Sequence, residues 1–251
     1  MNYTATPSTT LSGSPSFPPV RRTVDAFTRM LHALMALSFF GAYITAESEL
    51  FRLVHVTLGY TLGGLLVARL VWGVIGPRHA RLSALVGKLR GVGTWWTACR
   101  AIPHSGAAEW WPILRQGLNL LLPVSVAVLL LSIAPLVGSG YVQYEELTGD
   151  WMEEIHELLG NMMLMAVLVH VAAVVLLSLL RGRNLAMPMV TGSVAGKGPD
   201  LIRSNHRFLA AILLVAVLAF WVWQWQTTPL ADAVSPTSHT SQSRDVGDHD
   251  N

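Results

Sequence analysis

The chain has 251 residues, enough for one domain of ordinary size, yet 52% are hydrophobic and only 13% are charged, about half the charged share of a soluble globular domain. A mean hydropathy of +0.45 points the same way and excludes an ordinary water-soluble fold. The formal net charge of +2 excludes nothing by itself, because the placement of the charges carries the information.

Residues 1–22 are rich in Ser, Thr and Pro and close on Pro18-Pro19-Val20-Arg21-Arg22, a composition that predicts a disordered lead-in. The paired arginines resemble an export signal. A full-length apolar span without a small-residue cleavage site follows them, so that reading is set aside. Five apolar stretches then approach or exceed the ~20 residues needed to cross a bilayer: Arg29–Ala46, Leu53–Ile75, Ile113–Val137, Glu154–Leu180 and Phe208–Trp225. Between them lie polar connections with Gly, Pro and charges, and a polar tail over residues 227–251 is predicted to be disordered. The nine Trp suit anchoring at membrane interfaces.

Charge sets the topology. Arg21, Arg22 and Arg29 precede or open the first span, and Arg78, Arg81, Lys88, Arg90, Arg100 and Arg115 lie between the second and third. Arg181, Arg183, Lys197, Arg203 and Arg207 lie between the fourth and fifth. Fourteen of the 17 basic residues thus fall on alternate connections, leaving Arg52 and Arg244 on the other side and Arg69 inside the second span. The positive-inside rule makes the basic side cytoplasmic. It predicts a multi-pass protein of the bacterial inner membrane with a cytoplasmic N-terminus and a periplasmic C-terminus. The outer connections carry Glu47, Glu49, Glu145, Glu146, Asp150, Glu153, Glu154 and Glu157.

Nine histidines fall into two groups. His79, His104, His206, His239 and His249 lie in loops or the tail, where a solvated side chain is expected. His32, His55, His156 and His170 lie in spans or at their ends, where ionisable groups are costly and face the bundle interior. His170 follows His156 by fourteen residues, which on an α-helix is about 21 Å and nearly the same face. The fourth span therefore presents two histidines on one stripe at two depths. His55 matches the outer depth and His32 the inner one, so two stacked bis-histidine sites follow. Haem suits them, because its iron takes one axial ligand on each side and its macrocycle needs an apolar slot between helices. Cys99 is the single cysteine, so any haem is held without thioether links.

Gly160, Met163 and Val167 continue the stripe after His156, and Gly59 and Gly63 follow His55. Small residues one turn from a ligand leave room for a porphyrin, although Gly59 and Gly63 also fit plain helix packing. Met163 is a conceivable axial ligand, but its mid-membrane depth matches no partner. Arg69 lies fourteen residues after His55, where it either pairs with a haem propionate or snorkels to the inner interface.

The run His55-Val-Thr-Leu-Gly-Tyr, with Ala68-Arg69-Leu-Val-Trp72-Gly73-Val-Ile-Gly76-Pro77-Arg78, resembles the second helix of the b-type cytochrome subunits of nickel–iron hydrogenases. Glu153-Glu-Ile-His156-Glu-Leu-Leu-Gly160-Asn161, then His170, Arg183-Asn184-Leu185 and Met189-Val-Thr-Gly192, resembles the same group, within the bacterial cytochrome b-561 superfamily. The likeness covers Thr23 to Gly192. It implies an all-α membrane protein whose four-helix core is a haem-binding bundle; the fifth C-terminal transmembrane helix, read from hydropathy within residues 193–226, and the polar tail lie beyond the likeness. It also implies two haem b groups, one between His32 and His170 and one between His55 and His156. Electrons would pass between a periplasmic partner, a c-type cytochrome or a hydrogenase-like protein, and the quinone pool or another carrier. The chain would then be an electron-transfer subunit rather than a stand-alone enzyme. Ile102-Pro103-His104-Ser105-Gly106 departs from the Gly-His-Asn-Pro-like stretch that hydrogenase subunits carry before helix three. The alternative is a proton-coupled transporter using intramembrane histidines, which would not need two depth-matched pairs.

Overall fold

A computed structural model describes residues 20–78, 80–101, 110–196, 199–202 and 204–227. The predicted disorder of residues 1–19 and of the tail beyond 227, and the positions of His79, His104, His239 and His249, lie outside them.

All five expected spans are helices long and apolar enough to cross a membrane. Helix α1 (Ala26–Thr45) starts at Asp25. The Asp25 carboxylate accepts the Thr28 amide at 2.8 Å and the Thr28 hydroxyl at 2.9 Å, satisfying donors that a helix start leaves unpaired. A single 3-10 turn (Glu49–Phe51) leads into α2 (Arg52–Ile75), which stops before Gly76-Pro77. Helix α5 (Trp110–Tyr144) and helix α6 (Trp151–Leu180) form an antiparallel hairpin. At 35 residues α5 is far longer than the expected Ile113–Val137. Its roughly 50 Å length exceeds the hydrocarbon thickness and carries it into the interfaces. Pro123 and Pro135 sit inside it, as membrane helices tolerate when neighbours re-satisfy the freed backbone. Helix α8 (Arg207–Thr227) is the fifth span.

The connection between α2 and α5 is not plain loop. It holds two short helices, α3 (Leu82–Leu89) and α4 (Gly91–Ala101). Both pack on the start of α5, where Trp95 Nε1 donates to the Ile113 carbonyl at 3.0 Å and Gln116 Nε2 to Thr94 Oγ1 at 3.1 Å. Their shortness and mixed polarity hid them from span-length hydropathy.

A second correction concerns the lead-in, which was expected to be disordered through residue 22. Strand β1 (Val20–Arg22) pairs antiparallel with strand β2 (Ser193–Ala195), in register Val20↔Ala195. A short helix, α7 (Met187–Thr191), precedes β2 and ends at Gly192, whose φ is +79°. The Gly192 carbonyl accepts the amides of Thr23 and Val24 at 2.9 and 3.2 Å. A β-carbon there would lie 2.9 Å from the Val24 carbonyl oxygen, so both conformation and space require glycine.

These contacts, with Arg181 donating to Asn119 Oδ1 at 2.7 Å and the Ala26 amide donating to Asn205 Oδ1 at 3.0 Å, gather the basic connections at one end. The hairpin turn with its exposed acidic residues closes the other.

Helices α1, α2, α5 and α6 form the four-helix bundle. Adjacent backbones approach closely along α1/α2, α2/α5 and α5/α6, whereas α6 stands off both α1 and α2. Across that wider seam the link runs through side chains, such as the Tyr43 hydroxyl to Asn161 Oδ1 at 3.3 Å. Phe39, Leu62, Leu66, Ile133, Leu136 and Met163 bury one another mid-bundle. A second cluster of Leu31, Leu34, Leu65, Trp72 and Ala80 receives Val217 of α8. The fifth helix thus rests on α1 and α2, pinned by Trp221 Nε1 donating to Thr61 Oγ1 at 2.8 Å.

Candidate functional site

The four intramembrane histidines sort into two levels. His55 enters α2 one turn after its start, and His156 enters α6 at a similar place. Because both helices begin at the acidic end, the rings meet there, with centroids 6.0 Å apart and planes crossing at 81°. His170 lies further down α6, within electrostatic reach of His32 near the start of α1. Each partnership joins α6 to a helix that it stands off from.

Three of the four rings have an engaged nitrogen. His55 Nδ1–H donates to the Ala42 carbonyl at 2.8 Å. A carbonyl can only accept, so Nδ1 carries a proton, and in the neutral ring Nε2 is then the nitrogen with the lone pair that binds a metal. His156 Nδ1 lies 3.0 Å from the Ser139 hydroxyl and His170 Nδ1 lies 3.0 Å from that of Ser125. Fourteen residues separate these serines on α5, as they separate the two histidines on α6. Sequence reading missed the serines. The matching interval was a usable signal, but it meant something only once α5 was known to lie against α6.

Gly140 was missed as well. A β-carbon at this position would approach His156 Cε1 to 2.8 Å, so the ring lies against bare backbone. Gly59 and Gly160, each one turn beyond an outer histidine, have open space where a β-carbon would stand. Gly63 differs from the expectation that grouped it with Gly59. Its missing β-carbon admits Val137 of α5 at 3.0 Å, so it serves helix packing. Met163 is buried in the mid-bundle apolar cluster halfway between His156 and His170.

Arg69 reaches the basic end, where its Nη1 donates to the Ala80 carbonyl at 3.1 Å. It ties α2 to the turn that follows. His206, expected to be solvated, is half-buried and sets its ring edge-on to Trp72 at 5.0 Å. The entry of α8 folds back over α2 there.

Among the described residues, no group of three or more histidine, cysteine, aspartate or glutamate side chains is placed to hold a metal ion. The outer level instead brings two histidine rings face to edge between α2 and α6, an arrangement suited to a metal that brings its remaining ligands with it; at the inner level His170 is half-buried and His32 exposed. A membrane helical bundle with histidines paired across its interior defines the class of b-type cytochromes. The chain matches the family model of prokaryotic cytochrome b561 over residues 23–192, well over half its length, and it belongs to that family. It is therefore a membrane cytochrome that binds b-type haem and transfers electrons. No curated protein and no solved structure matches it.

Proposed function

We propose that the chain holds two b-type haems, one between His55 and His156 near the acidic face and one between His32 and His170 near the basic face. In this reading it relays single electrons between a periplasmic c-type cytochrome or hydrogenase-like partner and the quinone pool or another carrier. The basic face is cytoplasmic, in a bacterial inner membrane.

The supporting observation is the 6.0 Å spacing of the His55 and His156 rings. Two imidazole rings at that spacing, one from α2 and one from α6, could each present a nitrogen to a single metal between them. Two imidazoles supply two ligands, and a porphyrin supplies the other four. Open space over Gly59 and Gly160, and the stand-off of α6 from α1 and α2, leave room for a macrocycle at the outer level.

Bound there, haem iron supplies a one-electron couple at each level. The histidines would hold it through Nε2. The layer of Phe39, Leu62, Leu66, Ile133, Leu136 and Met163 between the levels is buried and apolar, which makes it costly for an ion to cross. Arg69 has a guanidinium donor on Ala80 and lies within electrostatic reach of Asp25, and a planar guanidinium there would suit a propionate. The exposed acidic residues at the outer end suit encounter with a basic partner.

Visible absorption of the purified protein tests this. A dithionite-reduced b-type spectrum with two haems per chain is expected, and a folded but colourless protein refutes it. His55→Ala and His170→Ala each remove one redox component, and a different one. Loss of the same component in both variants overturns the pairing.

A further inference from the structure

The two histidines of α6 are held from α5 by one repeated device. Ser139 stands opposite His156 and Ser125 opposite His170, the antiparallel hairpin matching one serine to each ring. A serine hydroxyl has a single hydrogen. Ser139 gives its hydrogen to the Leu136 carbonyl at 2.9 Å, and Ser125 gives its own to the Leu122 carbonyl at 2.9 Å. With its hydrogen on the carbonyl, each serine oxygen presents lone pairs that an Nδ1–H of the facing ring can meet. In the neutral ring that arrangement leaves Nε2 as the nitrogen free to bind a metal.

We propose that Ser139 and Ser125 are positioning residues that fix the tautomer and tune the electron donation of the haem ligands His156 and His170. This rests on the bis-histidine reading above. A hydrogen bond accepted from Nδ1–H makes the imidazole a more basic ligand, which favours ferric over ferrous iron. Both serines are buried, at 7% and 6% exposure, and at the outer level the Leu136 carbonyl also lies within hydrogen-bond reach of the His156 ring, so the larger effect is expected at Ser125. The two levels differ in this respect. At the outer one both rings are supported, His55 by the Ala42 carbonyl and His156 by Ser139. At the inner one His170 has Ser125, while His32 makes no hydrogen bond among the described residues. The outer site therefore favours the ferric state more strongly than the inner site through this device.

Redox titration of the haem-loaded protein, followed by visible absorption, tests the proposal with Ser139→Ala, Ser125→Ala and the threonine variants of both positions. Each alanine variant raises the midpoint of one component and leaves the other in place, and the two variants move different components. The expected shift is up to about tenfold in the ferric-to-ferrous preference, or about 59 mV for a one-electron couple. Threonine keeps the hydroxyl and the wild-type midpoints. Two haems with midpoints unmoved by either alanine overturn the role of the serines and leave the bis-histidine reading standing. A wild-type protein without haem overturns both. If Ser139→Ala loses haem outright, recovery in Ser139→Thr supports the hydroxyl's role and failure to recover refutes it.

Discussion

Gly140→Ala probes the outer site through a helix that supplies no ligand. The new β-carbon would stand 2.8 Å from Cε1 of His156 and 3.3 Å from its Nδ1, several tenths of an ångström inside ordinary contact. In the haem-free protein the ring escapes by swinging away from Ser139, and the helix gains roughly 0.5–1 kcal/mol from replacing glycine with alanine. Ligation forbids the escape, because Nε2 must point at the iron. The clash then falls on cofactor binding, where overpacking of a close-packed interior costs about 1–3 kcal/mol. That corresponds to roughly 5- to 150-fold weaker binding at this level. Haem content and redox titration of purified Gly140→Ala measure it, with Gly138→Ala as the control, since a β-carbon at Gly138 meets nothing within 4 Å. One component should be depleted or shifted in Gly140→Ala and neither in the control. If both haems remain at wild-type content and potential, or if the component sensitive to His170→Ala is the one lost, the placement of His156 against α5 is wrong.

Gly160→Ala and Gly59→Ala add methyl groups to open space. They should leave the thermal stability of the haem-free protein unchanged or slightly raised while lowering haem content, and equal haem content would place the macrocycle elsewhere. Thr61→Val removes the acceptor of the Trp221 indole, a cost of about 0.6–1.7 kcal/mol for an interhelical hydrogen bond in a membrane. Proteolysis near α8 should quicken while both haems stay, and loss of haem would mean that the fifth helix supports the site directly. Gly192→Ala forces a side chain into positive φ and against the Val24 carbonyl, costing about 1–3 kcal/mol. Faster cleavage between β1 and α1 with unchanged spectra is expected, and an unaltered digestion rate would argue against the β1–β2 clasp.

Much of the architecture was legible because a bilayer imposes its period on the chain. Spans must be long and apolar, charges must gather on alternate connections, and two histidines fourteen residues apart must share a helical face. Those constraints are local, so composition and spacing alone determined the helical bundle, its alternation and the candidate ligands His32, His55, His156 and His170. Local signals also misled. The Gly59–Gly63 interval reads as one feature, yet Gly59 faces open space while Gly63 admits Val137. Only the tertiary structure decided which helices pack closely and which stand apart, since that depends on side chains far apart in sequence. The pairing of Ser139 with His156 and Ser125 with His170, the Ala42 carbonyl on His55, and the seating of α8 on α1 and α2 belong to that second kind. A hydrogen-bond partner is chosen by where two helices meet, and no single helix carries that information.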